Sequence, residues 1–258
     1  MEFIKEFNQH EKYYLVDYTC YNDRCHTISA YILNKYNSKL TTDINEAKII
    51  LCVGGDGTLI KTIHEFEQYN LPVLGINAGT VGFLMNSSQA EEIDKIFEND
   101  FEPFLIPLQL MKVKVDKNTY FAFNEVMIGG DMSDWITFNI NSLHELNGEV
   151  KGGGLIFSTA QGSTGINKNN GGSILPLNSN LWSITGDKTS HKIKHVVTPH
   201  EINVKATSRG SISLWCDGNK ITKVSNEMNI EIDDSYKTIH LAFTYPERFL
   251  IKRRDSRL

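Results

Sequence analysis

The sequence predicts a two-domain chain, with an α/β N-terminal domain built on a parallel sheet and a β-rich C-terminal domain. Three observations predict it. Short apolar runs alternate with helical patterns from Tyr13 to Phe97, one of those runs ends in the turn Gly54-Gly55-Asp56-Gly57-Thr58, and after Pro103 the apolar period changes to two. The expected boundaries are residues 1–100 for the α/β domain with its Gly54–Thr58 loop and 101–258 for the β-rich domain with a second glycine-rich loop. The last residues are expected to pack back on the first domain.

Tyr13 to Val16 reads as the first strand, and Ile28, Ile32 and Tyr36 mark one face of a helix. Ile49 to Val53 is a continuous apolar run of the kind buried on both faces of a parallel sheet. After the glycine turn, Leu59, Ile63 and Phe66 recur at helical spacing, so the order is strand, turn, helix. Pro72 to Ile76 is the next short run, and Ser88 with Glu91 predicts a capping box ahead of Ile93, Ile96 and Phe97. The result is a Rossmann-like arrangement, in which ligands sit at the C-terminal ends of the strands.

In the second half, Met111, Val113 and Val115 alternate with lysines, and Phe138 and Ile140 alternate with Thr137 and Asn139. The same stripe recurs at Ile212 and Leu214, at Met228, Ile230 and Ile232, and at Ile239, Leu241 and Phe243. That is the pattern of antiparallel strands with one face buried.

The chemistry begins at Asp56. Glycines on either side of it permit positive φ and close approach of a ligand, and the amides of such a turn form a donor surface for phosphate oxygens, reinforced by the following helix N-terminus. A carboxylate in that cradle repels phosphate unless it meets a cation or takes a proton from an attacking hydroxyl, which are tasks of phosphoryl transfer. The same five residues also make a plain strand-to-helix turn. The turn is neither a Walker A loop nor a Gly-x-Gly-x-x-Gly fingerprint.

Gly152 to Gly172 is the one biased stretch, rich in Gly, Asn and hydroxyl side chains. It reads either as a surface loop of turn formers or as the second wall of a ligand cleft. Asn124-Glu125 is a polar pair inside the apolar run from Phe121 to Val126, either a satisfied edge feature or a pair that binds vicinal hydroxyls or an adenine edge.

Composition excludes several classes. With 26 basic and 31 acidic residues the formal charge is -5, which argues against duplex nucleic acid as a partner. Lys252, Arg253, Arg254 and Arg257 read as a solvated basic tail, with an anion or subunit contact as the other reading. Cys20, Cys25, Cys52 and Cys216 are irregularly spaced, without a Cys-x-x-Cys pair, so neither a metal site nor a disulfide framework is expected. Met1 to Lys12 has no signal-peptide character and no run reaches membrane-spanning length, so a cytoplasmic location without membrane contact is expected.

Taken in order, Gly54–Thr58, Leu71 to Leu84 (LPVLGINAGTVGFL), Asn124-Glu125, Gly152 to Gly165, then Gly171, Gly172 and Leu175-Pro176 resemble the NAD kinase family. The first motif alone also fits diacylglycerol, sphingosine and, more loosely, phosphofructokinases. The resemblance implies an NAD kinase-like two-domain fold and transfer of a phosphoryl group from ATP, or another nucleoside triphosphate or polyphosphate, to the 2′-hydroxyl of the adenosine ribose of NAD. It implies that Asp56 acts on that hydroxyl, that Gly55, Gly57 and Thr58 line the phosphates, and that Asn124 and Glu125 hold NAD through ribose and adenine. Gln161, Thr164 and Gly165 would join them, Thr164 at the adenine, and Asp217 matches the family's late aspartate at the substrate site, although Asp217-Gly218 is also an ordinary turn pair. Mg²⁺ is implied with ATP, without a tightly held protein-ligated metal, and a homodimer or homotetramer is implied. The chain departs from the family at Gly153, where an aspartate is usual, at Gly165-Ile166 in place of alanine-tyrosine, and at Gln161 in place of a small hydroxyl residue. Those departures leave open a non-catalytic or altered-specificity dinucleotide-binding homologue, or a related lipid or nucleotide kinase. Restoring the carboxylate with Gly153→Asp is expected to tighten NAD binding by up to about 2 kcal/mol.

Overall fold

The computed structural model describes residues 12–16, 22–98, 101–131, 135–142 and 146–245. They divide into two compact units, one running through Leu108 and resuming at Ile239, the other Gln109–Thr238. Cys20, the basic cluster at Lys252, Arg253, Arg254 and Arg257, and the stretch before Lys12 lie outside the described residues.

In the first unit, β1 (Lys12–Val16), β2 (Leu40–Thr41), β3 (Ala47–Gly54) and β4 (Val73–Asn77) form a parallel sheet in the order β2-β1-β3-β4. The helices are α1 (Asp23–Tyr36), α2 (Asp56–Phe66) and α3 (Ala90–Ile96). β3 is buried at every position except Lys48, as its continuous apolar run demands. Cys25, Ile28 and Ile32 of α1 and Leu59, Thr62 and Ile63 of α2 are the buried faces of those helices. Asn22 caps α1 by accepting the Cys25 amide at 2.8 Å. The capping box expected at Ser88 and Glu91 does not form. α3 starts after Gln89 with no side-chain cap, and the Ser88 hydroxyl instead accepts a hydrogen bond from the Arg24 guanidinium at 2.7 Å.

The end of the chain completes this sheet. β14 (Asn219–Phe243) pairs its Leu241 in parallel with Val73 of β4. Asn86 locks that addition, donating to the carbonyls of Gly75 and Ala242 at 3.1 and 3.0 Å while its Oδ1 accepts the Thr244 amide at 2.9 Å. The side chain is buried and its hydrogen-bonding capacity is used on both sides.

The second unit contains β5 (Phe104–Val115) from Gln109 on, β6 (Asn118–Ala122), β7 (Glu125–Gly130), β8 (Ile136–Ser142), β9 (Gly148–Gly152), β10 (Gly154–Ser158), β11 (Trp182–Asp187), β12 (Lys194–Val197), β13 (Ile202–Cys216) and β14 up to Thr238. The short helix α4 is Ile166–Asn169. Strands β12, β11, β10, β7, β13 and β14 lie side by side in that order, antiparallel throughout. Besides β14, β13 serves two further neighbours, pairing Ile202–Thr207 with β8 and Ile212–Cys216 with β7, and its register with β14 shifts between those halves. Of the stripes expected from the sequence, Val113, Phe138, Ile140, Leu214, Ile230 and Ile232 are buried in one core together with Phe157, whereas Ile239, Leu241 and Phe243, expected there as an antiparallel stripe, belong to the first unit, where Leu241 pairs in parallel with Val73.

Candidate functional site

Two groups of residues carry chemistry, one in each unit. In the first, β3 ends at Gly54 and α2 starts at Asp56 after Gly55, which has extended φ of -110° and ψ of -173°. Among Gly54, Gly55 and Gly57 none is in the left-handed region, so the expectation that these glycines supply positive φ is corrected. They supply room. A Cβ on Gly54 would overlap the Thr58 side chain, and one on Gly79 would stand 3.4 Å from the Gly55 Cα. The glycine turn is thereby laid directly against the loop that follows β4, and the Ala78 amide donates to the Gly54 carbonyl at 2.7 Å.

Asp56 is the hinge of that contact. Its Oδ2 accepts the Phe83 amide and its Oδ1 the Leu84 amide, each at 2.9 Å. Both oxygens are thus oriented by backbone at the positive end of α2, and each keeps a lone pair for a further hydrogen bond. Gly57 is open, with nothing within 4 Å of where its Cβ would be, and Thr58 is half-buried. The chemistry this arrangement supports is orientation of a hydroxyl by a fixed carboxylate beside a helix N-terminus.

In the second unit, Asn124 and Glu125 do not lie inside one strand as the sequence suggested. The strand breaks at Phe123–Asn124, between β6 and β7, and Glu125 opens β7. The reason is Asp217. Its carboxylate accepts the amides of Phe123, Asn124 and Glu125 at 2.7, 2.6 and 3.0 Å, drawing the corner of the chain around it. Asp217 and Gly218 form the tight turn between β13 and β14 with φ of 50° and 77°, so the turn reading and the site reading both describe this residue.

The glycine-rich loop packs on the same corner. Thr159 donates its hydroxyl to the Phe123 carbonyl at 2.7 Å, and the buried Gln161 amide donates to the carbonyls of Gln109 and Phe123 at 2.9 and 2.6 Å. Gly162 fits so closely on the Asn124 carbonyl that a Cβ there would overlap it. Gly165 faces the Glu125 carboxyl, with Oε2 3.8 Å from its Cβ position, and Thr164 is partly exposed beside it. Asn124, Glu125, Gln161, Thr164, Gly165 and Asp217 therefore stand together, while Gly55, Asp56, Gly57 and Thr58 form the group in the first unit.

Electrostatics distinguish the two acids of the corner. Glu125 is buried, and that burial, aided by the nearby Asp217 charge, pushes its carboxyl up to about 7. The Asn124 Oδ1 is buried with no partner among the described residues. A cavity of about 150 Å³ opens here, lined by Glu125, Met127, Ile166, Trp215 and Gly218, a size that takes one aromatic ring. Sequence reading assigned no role to Met127 or Trp215, which β7 and β13 pair as direct neighbours across the sheet.

Gly153 is not left-handed, and its missing Cβ would lie 3.4 Å from the Asp187 Oδ2. The carboxylate missing at 153 thus has a neighbour that sequence reading overlooked, because β10 and β11 pair Gly154 with Asp187 across distant parts of the chain. Gly153→Asp would set two carboxylates side by side. We therefore expect it to lower thermal stability and to give no gain in calorimetric NAD affinity, reversing the expectation from the sequence; tighter binding would show that the loop backbone moves to accept it.

Among the described residues no group of three His, Cys, Asp or Glu side chains is placed to hold a metal ion, and no helix is long and apolar enough to cross a membrane. Residues 3–102 match the family model of the ATP-NAD kinase N-terminal domain, and residues 123–243 that of the C-terminal domain. The chain is 34% identical over 146 residues to the NAD kinase of Rickettsia akari, covering 55% of this chain and 57% of that one. It is 32% identical over 144 residues to the NAD kinase of Cereibacter sphaeroides, covering 54% and 56%. The chain spans little more than half the length of these curated relatives. Its fold matches that of yeast NADH kinase complexed with NADH, with a TM-score of 0.79 at 16% identity over 96% of this chain and 87% of that one. It also matches an NAD kinase from Archaeoglobus fulgidus in complex with ATP, with a TM-score of 0.68 at 20% identity over 94% and 98%. Two models of one family, matched in order along most of the sequence, together with this shared fold, place the chain in the NAD kinase family.

Proposed function

We propose that this chain is an NAD kinase, transferring the terminal phosphoryl group of ATP to the 2′-hydroxyl of the adenosine ribose of NAD. The observation that carries the reading is Asp56, a carboxylate held by two consecutive amides at the first turn of α2 in a glycine cradle. Asp56 orients the acceptor hydroxyl and takes its proton, and the amides of Gly55, Gly57 and Thr58 face the phosphates. Asn124, with its unpartnered buried oxygen, and Glu125 accept hydroxyl and amine donors of the bound dinucleotide, with Thr164 and Gly165 beside them. Asp217 and Gln161 shape this corner through the backbone groups that they bind, and in this reading they border the dinucleotide beside Asn124 and Glu125.

The residues present fit a divalent ion that arrives on the donor's phosphates, because Asp56 is the acidic side chain of the cradle and its two oxygens already accept amides. Mg²⁺ so carried would neutralise phosphate charge beside Asp56. A homodimer or homotetramer and a cytoplasmic location belong to the same reading, the first supported by the family resemblance and the second by Cys25, Cys52 and Cys216, which are buried thiols. Incubation with NAD, ATP and Mg²⁺ should yield NADP. A second reading, a dinucleotide-binding homologue without turnover, is favoured by Ile166, exposed where the family has a tyrosine, and by Gly153. Retained NAD binding with no NADP at high enzyme concentration would decide for it.

A further inference from the structure

The Asp56 carboxylate is only as well placed as the amides that hold it, and those amides belong to a loop with its own internal staple. Asn77 ends β4 and turns its side chain back over the next five residues. Its Oδ1 accepts the Gly79 amide at 2.9 Å and its Nδ2 donates to the Val81 carbonyl at 3.3 Å. Gly82, at φ of 61°, packs on the same amide group so closely that a Cβ would stand 2.6 Å from Asn77 Cγ and Oδ1. The chain leaves Gly82 with the Phe83 and Leu84 amides pointed at Asp56. From outside, Arg24 donates to the Gly79 carbonyl at 3.2 Å, and Leu84 and Met85 are buried. Asn77 therefore bonds within the loop at two points and also fills the space under the left-handed glycine that precedes the two amides.

We propose that Asn77 is a positioning residue that sets the Asp56 carboxylate through the loop of residues 78–84; its catalytic consequence rests on the NAD kinase reading above. An alanine has neither donor nor acceptor and leaves a void beneath Gly82, so the loop relaxes and the Phe83 and Leu84 amides lose their fixed direction. An aspartate keeps the bond to Gly79 and loses the one to Val81, giving a partial effect.

The test has two readouts on the full chain. Amide hydrogen exchange at Phe83 and Leu84 should quicken about tenfold in Asn77→Ala, less in Asn77→Asp, and Asn77→Ala should add little in an Asp56→Asn background. Unchanged exchange at both amides overturns the proposal whatever the turnover. In NADP formation, Asn77→Ala should lower kcat about tenfold with KM for NAD within about twofold, a displacement effect that vanishes once Asp56 is asparagine. Losses that multiply in the double variant would make Asn77 merely structural and also overturn it. If the wild-type chain forms no NADP, the NAD kinase reading falls while the exchange experiment still decides the role of Asn77. Should the alanine variant not fold, Asn77→Asp carries both measurements.

Discussion

Replacing Asp56 with asparagine should lower kcat for NADP formation by about a hundredfold or more while leaving NAD affinity within about threefold, the scale of losing a positioned base. The geometry sharpens the expectation. In the wild type, each carboxylate oxygen accepts one backbone amide, from Phe83 and from Leu84. Asparagine offers one acceptor and one donor, so one of those amides meets an N–H instead of an oxygen, at a cost of about 1 to 2 kcal/mol in folding stability. Urea unfolding measured beside turnover separates the two effects. Near-normal kcat with the expected stability loss would leave Asp56 as a loop anchor and remove it from the reaction. Near-normal stability with lost kcat would show that the loop finds another hold.

What the sequence made legible follows from range. β3, the glycine turn and α2 were readable because apolar periodicity and turn chemistry act within a dozen residues. The antiparallel half was readable for the same reason, each strand carrying its own alternation. Ser88 misled because a local capping pattern competed with Arg24, far away in sequence, which takes the hydroxyl. The strand break at Asn124 was invisible because its cause, Asp217, lies more than ninety residues later, and no local signal says that three amides will converge on that carboxylate. Gly153 looked like a simple loss until the pairing of β10 with β11 put Asp187 beside it. The candidate residues could be named from motifs, but which ones touch each other is decided by sheet register, and register depends on the whole strand.

Glu125 should make the fold less stable as pH rises from about 4.5 to 7, and Glu125→Gln should remove that dependence. Burial first, and the Asp217 charge second, raise the folded-state carboxyl to about 7 from its ordinary 4.5. Within that window the folded chain holds a proton that the unfolded chain has released, so folding is favoured at the acidic end and the advantage is lost as pH passes through the folded value. Above pH 7 the ionised side chain is buried beside Asp217, with no cation paired to it among the described residues. Full ionisation costs on the order of 3 kcal/mol. Glutamine fits the same space and cannot ionise, so the variant should be more stable than the wild type at pH 8, with the gap closing towards pH 4.5. Urea unfolding of both proteins at pH 5 and pH 8 measures the gap, and taking their difference cancels the other titrating groups. Binding should respond in the opposite sense. A ligand whose hydroxyls donate to Glu125 favours the ionised form, so NAD binding near pH 6.5 should release a proton in the wild type and not in the variant, read from calorimetry in buffers of different ionisation enthalpy. A stability gap that is the same at both pH values would mean that Glu125 is ionised at its ordinary value and finds a partner on folding. The carboxyl would then be a fixed charge of the site, and the pH dependence of ligand binding would have to arise elsewhere.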